Sequence, residues 1–336
     1  MKVLVTGGAG YIGSTVCSAL EDNGHQVIVL DSLVKGSPTF ITDKIFYKGD
    51  ISDKNILLRL LSEHPDISAV IHCAARIIVP ESVEKPYLYY KDNVAKSLEF
   101  FKHISETNIN RIVFSSSASI YEGDSGCIVT EESPINPTSP YAKTKLATEM
   151  VLEDFCRAYG MHGISLRYFN PIGADPKMRS GPYDKSPTHI FGKLLSVSDK
   201  NENLFEITGY QWPTRDGTGI RDYLHVWDLA LAHVNAIENF DVISDGESSF
   251  MAINIGTGIG TTVMEFIKAF EEVRGLEIPQ KRSNPRPGDN AGVFASNDKA
   301  KRILDWTPRM SLEQGIADGI KWSNKRSRMN QVNISK

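Results

Sequence analysis

The chain has 336 residues, 41% of them hydrophobic and 23% charged, which suffices for a large core and predicts one large domain with a smaller lobe. A net charge of -4 excludes the strongly basic surface of a nucleic-acid-binding protein, and four widely spaced cysteines without a C-x-x-C pair predict a reducing cytoplasm and no metal site. No apolar run approaches the ~18 residues of a membrane span and no signal peptide is recognisable, so we expect neither membrane insertion nor secretion.

The first predicted strand runs directly into a glycine-rich turn. Residues 2–6 are predicted to form a buried parallel strand and residues 11–23 an amphipathic helix, with Gly7, Gly10 and Gly13 in the turn between them. The amino terminus of such a helix faces a pyrophosphate, and glycine is expected because a Cβ atom would block the phosphate. This segment therefore predicts dinucleotide binding.

A second predicted strand, residues 26–30, ends in Asp31. The spacing from Gly13 to Asp31 fits the roughly 20 residues expected before the acid that accepts both adenosine ribose hydroxyls. A carboxylate there would repel the 2′-phosphate of NADP, and no arginine follows it directly. The predicted cofactor is NAD.

Apolar runs of strand length alternate with helical stretches through the first half of the chain. Further strands are predicted over residues 45–47, 69–73, 111–115 and 163–168, and the longest helices over residues 92–107 and 141–159. The fold class is therefore α/β, a Rossmann-like doubly wound parallel sheet. In the second long helix, which follows Ser139-Pro140, we expect Leu146, Met150 and Phe155 to face the core.

The character of the sequence changes after Asn170, where prolines and glycines interrupt the α/β alternation. We place an NAD-binding domain at residues 1–172 and a substrate-binding lobe at residues 173–336. Segments near residues 222–256 are expected to rejoin the first domain, because residues 253–255 have the pattern of a buried strand and residues 222–226 lead into a helix.

A catalytic group is predicted from Ser117, Tyr141 and Lys145. Tyr141 and Lys145 lie four residues apart, so on a helix they share a face, with Cβ atoms about 5–6 Å apart. Lowering a phenol pKa from about 10 to about 7 takes roughly 4 kcal/mol, which a buried ammonium and an oxidised nicotinamide could supply together. Ser115 and Ser117 close the strand over residues 111–115, which puts Ser117 at the ligand-binding edge of the sheet, where it can contact a substrate oxygen.

These motifs together resemble the extended short-chain dehydrogenase/reductase family and, within it, the UDP-galactose (UDP-glucose) 4-epimerases. The resemblance runs almost end to end, through Gly7-Gly8-Ala9-Gly10-Tyr11-Ile12-Gly13, Gly49-Asp50-Ile51, Glu81-Ser82-Val83, Ser115 to Ser117, Tyr141 with Lys145, Arg167-Tyr168-Phe169-Asn170-Pro171, Asp216-Gly217-Thr218, Arg221-Asp222-Tyr223 and Arg286-Pro287-Gly288-Asp289. The cofactor-binding residues that it implies are Gly7, Gly10, Tyr11, Ile12, Gly13, Asp31, Asp50, Ile51, Ala74, Arg76, Asn93, Ser115, Tyr141, Lys145 and Tyr168. The implied substrate-binding residues are Ser117, Asn170, His189, Arg221, Arg286, Asp289 and Val293.

The resemblance implies epimerisation of a UDP-hexose at C4. Tyr141 as phenolate takes the 4-hydroxyl proton while C4 passes hydride to NAD, and the 4-keto sugar turns over before hydride returns to its other face. Arginines suit the diphosphate because their planar fork makes paired, charge-assisted hydrogen bonds. The family often forms dimers, so a homodimer through helices such as residues 92–107 is expected.

Several alternatives stay open. Sequence-related dehydratases and decarboxylases carry acids just after the serine strand end, where this chain has Ala118 and Ser119, and a non-catalytic NAD-binding sensor would not need the intact catalytic trio. Ile77 stands where the epimerases usually have lysine, so Arg76 either replaces that contact or points elsewhere. In the unusual loop of residues 177–185, Arg179 either binds a uronate carboxylate or is a solvated charge. Val293, small where plain-hexose enzymes have tyrosine, either leaves room for N-acetylated sugars or packs in the core.

Overall fold

A computed structural model describes residues 1–121, 128–184, 187–241, 249–285 and 291–334, with backbone only from residue 330 onward. Cys127, Arg286 and Asp289 lie outside these ranges, so the predictions made for them are not addressed by the structure.

The central element is a parallel sheet whose strands come from both halves of the chain. The strands of the described part of the chain, in this sheet and outside it, are in chain order β1 (Lys2–Thr6), β2 (Gln26–Asp31), β3 (Ile45–Lys48), β4 (Ile67–His72), β5 (Arg111–Ser115), β6 (Ile128–Val129), β7 (His162–Tyr168), β8 (Asn170–Ile172), β9 (Phe205–Thr208), β10 (Ile220–Arg221), β11 (Tyr223–His225), β12 (Phe250–Ile255), β13 (Thr261–Thr262), β14 (Gln280–Ser283) and β15 (Phe294–Ala295). Within the described ranges, seven of them pair in parallel in the order β12-β7-β5-β4-β1-β2-β3. The doubly wound sheet predicted from the alternating pattern is confirmed, with only strand ends shifted.

Some of the helices cover both faces of this sheet, and others form the core of the remaining lobe. They are α1 (Tyr11–Asp22), α2 (Lys54–Glu63), α3 (Val79–Glu84), α4 (Pro86–Tyr89), α5 (Lys96–Ser105), α6 (Pro140–Tyr159), α7 (Ile190–Ser198), α8 (Val226–Glu238), α9 (Val263–Arg274), α10 (Asp298–Leu304) and α11 (Leu312–Ile334). The helix predicted over residues 92–107 begins earlier than expected, because α4 continues into α5 through a π-helical turn at Tyr90–Ala95. No helix in the described part of the chain is long and apolar enough to cross a membrane.

Two apolar layers hold the sheet between the helices. One layer packs α1 and α8 against one face through side chains such as Val16, Leu20 and Leu229. The other packs α2, α5 and α6 against the opposite face through Leu57, Phe101 and similar side chains. These two layers fix the strand ends from which the site residues project.

Helix α6, which carries Tyr141 and Lys145, begins as the sequence predicted. The Ser139 hydroxyl accepts a hydrogen bond from the Ala142 amide, and Pro140 occupies the first turn. Leu146 and Phe155 pack against apolar clusters. The expectation for Met150 was wrong: its side chain is 57% exposed, because the buried face of α6 runs through positions 141, 145, 148, 149, 152 and 156.

Segments from the second half complete the first domain. β12 pairs in parallel with β7, and α8 packs on α1, so the strand predicted over residues 253–255 and the helix predicted after residue 226 are confirmed. The remaining lobe has its own core between α7, α9 and α11, with Phe191, Phe266 and Phe270 buried in it. The boundary at residue 172 stays a prediction.

Candidate active site

The carboxyl ends of the sheet strands open onto a cavity of about 800 Å³ beside β1 and β4, where the strand order reverses. The predicted site residues that line it are Gly7, Gly10, Tyr11, Ile12, Gly13, Asp31, Asp50, Ile51, Ala74, Arg76, Tyr168, Asn170, His189 and Arg221. The predicted residues that the structure describes but that do not line it are Asn93, Ser115, Ser117, Tyr141, Lys145 and Val293.

The glycines of the first turn serve two different purposes. A Cβ atom on Gly7 would lie 2.7 Å from the Ala74 nitrogen, and one on Gly13 would lie 2.2 Å from the Gly7 carbonyl oxygen. These two positions therefore need glycine for close packing within the protein, and Gly7 also has a positive φ of 72°. Only Gly10, whose added Cβ would meet nothing nearer than 3.2 Å, matches the expectation that glycine leaves room for a phosphate.

Asp31 ends β2 with its carboxylate held in place by the backbone. Its Oδ2 accepts from the Ala9 amide at 3.0 Å and its Oδ1 from the Leu33 amide at 2.7 Å. Burial raises the pKa of Asp31, and these two hydrogen bonds act in the opposite direction. A fixed, partly desolvated carboxylate on the cavity wall suits the ribose of an adenosine.

Asp50 belongs to a charged network that the sequence did not reveal. Lys96 Nζ donates to Asp50 Oδ2 at 2.6 Å and lies 2.8 Å from Asp92 Oδ1, and Arg76 Nε donates to Asp92 Oδ2 at 2.5 Å. Burial would raise the pKa of Asp50, but hydrogen bonds from Lys96 and Ser52 outweigh it and lower the pKa. Arg76 therefore faces the cavity with its guanidinium already paired.

Asn93 links the loop after β4 to helix α6. Its Oδ1 accepts from the Arg76 amide at 2.7 Å, while its Nδ2 donates to the Arg76 carbonyl and to Thr144 Oγ1, both at 3.0 Å. The π-helical turn at Tyr90–Ala95 widens the helix where Asp92 and Asn93 make these contacts. In this structure Asn93 positions its neighbours, and its predicted contact with the cofactor stays a prediction.

Tyr141 is buried at the start of α6, with 7% of its surface exposed. Burial raises the pKa of its phenol, and a hydrogen bond with Ser117 acts in the opposite direction. Ser117 Oγ also accepts from the Ser119 amide at 3.2 Å and so caps the turn Ala118–Ile120. The structure thus brings Ser117 and Tyr141 together just beyond the strand end of β5.

Lys145 is more deeply buried, with 1% of its surface exposed. Its Nζ donates to the Ser115 carbonyl oxygen at 2.7 Å and lies 6.0 Å from the Tyr141 ring centroid. Burial lowers the pKa of Lys145 to about 8. Because burial outweighs the hydrogen bond from Ser117 at the phenol, the pKa of Tyr141 is raised in the protein alone, and the expectation that Lys145 and an oxidised nicotinamide together lower it stays a prediction.

Three elements, β8, β10 and α7, bring the substrate candidates to the cavity. Asn170 begins β8, and Arg221 ends β10 with its Nη1 donating to the Ile220 and Ala291 carbonyls at 2.7 and 3.1 Å. His189 caps α7, where its Nδ1 accepts from the Gly192 amide, and burial lowers the pKa of His189. A backbone-anchored arginine, an amide and an imidazole thus all line the cavity.

Two candidates lie away from the cavity wall. Arg179 pairs with Asp22 and Asp175 and stacks over Trp227, so it makes no cavity contact for a uronate. Val293 packs against the small apolar cluster that contains Ala118 and is not on the cavity wall.

A buried ion pair behind the site was also missed. Glu149, one turn beyond Lys145, accepts from Arg167 Nη2 at 2.7 Å and from the Ser116 hydroxyl. Arg167 in turn donates to the Tyr121 hydroxyl at 2.9 Å. The spacing of four residues between Lys145 and Glu149 places both on the buried face of α6. This spacing is the sequence signal from which Glu149 could have been found.

The cavity fits a dinucleotide. An open Gly10 at the uncapped amino terminus of α1, a held Asp31 carboxylate and the Asp50 carboxylate suit a pyrophosphate, a ribose and an adenine in turn. The Tyr141 phenol, the Ser117 hydroxyl and the Lys145 ammonium lie next to the cavity without lining it. These are the groups needed to transfer a proton from an alcohol.

Comparison with known proteins supports the same chemistry. A family model described as "NAD dependent epimerase/dehydratase family" matches residues 3–256. The chain is 41% identical over 323 residues to the UDP-glucose 4-epimerase of Halalkalibacterium halodurans, covering 96% of this chain and 95% of that protein.

Two solved structures are similar along almost their whole length. The UDP-glucose-4-epimerase of Stenotrophomonas maltophila with bound NAD and formylated UDP-arabinopyranose is 35% identical, with a TM-score of 0.92 over 98% of this chain and 99% of that one. The enzyme from Bifidobacterium longum in complex with NAD+ and UDP is 34% identical, with a TM-score of 0.89 over 97% and 98% of the two chains.

Proposed function

This chain belongs to the NAD-dependent epimerase/dehydratase family, and we propose that it interconverts UDP-glucose and UDP-galactose by reversible oxidation at C4 of the hexose. The observation that carries the proposal is the placement of Ser117, Tyr141 and Lys145 at the end of β5, beside a cavity that fits a dinucleotide. Relatives of similar length named UDP-glucose 4-epimerase support the same reaction.

NAD would be held by the first turn, Asp31 and Asp50. Bound NAD+ supplies the acceptor for the C4 hydride and a positive charge near the phenol. Because burial raises the pKa of Tyr141 in the protein alone, a neighbouring positive charge is needed before the phenolate forms near neutral pH.

Tyr141 acts as the base and then as the acid. Its phenolate oxygen takes the proton of the 4-hydroxyl and later gives a proton back to the 4-oxygen, when hydride returns to the opposite face of C4. Ser117 is hydrogen-bonded to the same phenol. Lys145 places a positive charge one helical turn from Tyr141, and its ammonium donates a hydrogen bond to the Ser115 carbonyl. We expect its main electrostatic effect once substrate and cofactor exclude the remaining water.

The 4-keto sugar must turn over without leaving, which requires a tight grip on UDP and a loose grip on the hexose. Arg221, Asn170 and His189 suit the UDP half, and Arg221→Ala should raise KM for UDP-galactose and weaken inhibition by UDP. Unaltered UDP affinity would assign Arg221 to a structural role, as its bonds to the Ile220 and Ala291 carbonyls permit.

A second candidate substrate is a UDP-N-acetylhexosamine. Val293 is smaller than tyrosine and packs beside Ala118, next to Ser117 in the chain. If this neighbourhood borders the hexose, Val293→Tyr should abolish turnover of the acetylated sugar and keep that of UDP-galactose. Equal loss of both, or a wild type inert to acetylated sugars, would leave Val293 a packing residue.

Assembly and location are further proposals. The segment 77–98, which includes α3 and α4, exposes several large apolar side chains between 41% and 72%, namely Ile77, Val79, Val83, Tyr87, Tyr90 and Leu98. Such a group is typical of a protein interface, and we infer a homodimer. Light scattering should give a dimer mass, and Leu98→Asp should shift it towards the monomer. A cytoplasmic location rests on the cysteine spacing, with Cys17, Cys73 and Cys156 unpaired.

The reaction is tested by incubating the purified protein with UDP-galactose and identifying the product. Conversion to UDP-glucose, lost in Tyr141→Phe, supports the proposal. A keto-deoxy or decarboxylated sugar would indicate one of the related lyase activities instead, and retained NAD without turnover would indicate a sensor.

A further inference from the structure

A buried histidine from the second half of the chain is hydrogen-bonded to the strand end that anchors the catalytic lysine. His233 lies on α8 and has no exposed surface. Its Nε2 is 2.8 Å from Ser115 Oγ, and its Nδ1 is 2.9 Å from the Leu229 carbonyl oxygen one turn back on the helix. Ser115 is the residue whose carbonyl accepts from Lys145 Nζ.

The partners of His233 determine where its proton lies. A carbonyl oxygen can only accept, so Nδ1 carries the hydrogen in the bond to Leu229. Burial lowers the pKa of His233 to about 4, so the imidazole is neutral at physiological pH and its Nε2 has no hydrogen. Ser115 therefore donates its hydroxyl proton to His233.

This direction fixes the other contacts of the Ser115 hydroxyl. Cys73 Sγ lies 3.1 Å from Ser115 Oγ, and burial raises the pKa of Cys73 to about 11, so the thiol keeps its proton and donates it. The Tyr168 hydroxyl also hydrogen-bonds with Ser115. Cys73 and Tyr168 both line the cavity, and Cys73 precedes Ala74, which lines it too.

We propose that His233 is a positioning residue for the redox step. It orients Ser115, whose carbonyl anchors Lys145. Through the Ser115 hydroxyl it also fixes the Cys73 thiol and the Tyr168 phenol on the cavity wall. This role rests on the proposed epimerase function. His233 has no exposed surface and does not line the cavity, so its loss should reduce kcat while leaving the binding of UDP-sugar intact.

The test compares two substitutions that split the two hydrogen bonds of the imidazole. His233→Asn keeps a donor near the Leu229 carbonyl but is too short to reach Ser115, whereas His233→Gln places an amide oxygen near the former Nε2. In the holoenzyme we expect His233→Asn to lower kcat for UDP-galactose about tenfold to a hundredfold with unchanged KM, and His233→Gln to restore most of this loss.

Ser115→Ala should lower kcat by the same factor as His233→Asn. The double variant should have no lower kcat than either single variant, because both substitutions remove the same His233–Ser115 hydrogen bond. Val234→Ala, a truncation in the same apolar layer, is the matched control and should lower Tm without changing kcat. Wild-type kcat in His233→Asn, equal losses in the asparagine and glutamine variants, or multiplied losses in the double variant would each overturn the positioning role.

A spectroscopic readout is independent of turnover. In protein labelled with 15N-histidine, the His233 signals should show a proton on Nδ1 and a hydrogen-bonded, unprotonated Nε2 whose resonance moves in Ser115→Ala. A proton on Nε2 would refute the arrangement. A wild type with these signals but no epimerase activity would instead refute the proposed function and leave the hydrogen-bond chain standing.

Discussion

The ion pair between Glu149 and Arg167 gives a quantitative test of how the catalytic helix is held. Arg167 Nε lies 3.1 and 3.2 Å from the two Glu149 carboxylate oxygens and Nη2 lies 2.7 Å from one of them, with the two side chains 7% and 4% exposed. Removing one partner from such a buried pair leaves an uncompensated charge and costs about 3–5 kcal/mol. Glu149→Gln should therefore lower the free energy of unfolding by about 4 kcal/mol, and Tm by about 10 °C.

Urea unfolding followed by circular dichroism measures this change. The double replacement Glu149→Leu with Arg167→Met removes both charges and keeps the volume, so it should recover most of the loss. A decrease in the free energy of unfolding of less than about 1 kcal/mol in Glu149→Gln or Arg167→Met would contradict a tightly coupled buried ion pair. A decrease in the double variant equal to the sum of the two single decreases would contradict it as well.

Further outcomes follow from the site. Tyr141→Phe should lower kcat by about 10²- to 10⁴-fold in a folded protein that keeps its NAD, and near-normal turnover would reject Tyr141 as acid and base. Asp31→Asn should weaken NAD binding about tenfold or more, since a charged hydrogen-bond partner is lost, and calorimetry showing unchanged affinity would contradict this. Burial lowers the pKa of His72 to about 3 and of His233 to about 4. As the pH falls, these histidines are therefore protonated in the unfolded chain before they are protonated in the folded protein. The free energy of unfolding is highest above pH ~6.5 and decreases as the pH falls, by about 2 kcal/mol for each histidine at about pH 5. His233→Gln should remove about half of that pH dependence in urea titrations.

The parts of the molecule that the sequence predicted well are local in sequence. The turn around Gly10 and the capped start of α6 depend on residues within one or two turns of chain, and Asp31 was located by its place at the end of a strand at the expected spacing from Gly13. The strand at residues 253–255 was also recognisable, because a buried strand is apolar whichever neighbour it pairs with.

Features that depend on distant contacts could not be predicted in the same way. The pKa of Tyr141 rises because tertiary packing removes water from the phenol, and the Lys145 ammonium is directed to Ser115 by the position of β5 rather than by its own helix. Arg179 pairs with Asp22, 157 positions away in the chain, and Met150 faces solvent because the body of the protein covers a different side of α6.

In the proposed reaction the C4 hydrogen leaves and returns through a cofactor that stays in the protein. Epimerisation of UDP-galactose in deuterium oxide, with the product analysed by mass spectrometry and NMR, tests this path. We expect UDP-glucose with no deuterium at C4, because hydride returns without exchanging with water while only the hydroxyl proton passes through Tyr141. Deuterium at C4, or no conversion by protein that retains NAD, would contradict it.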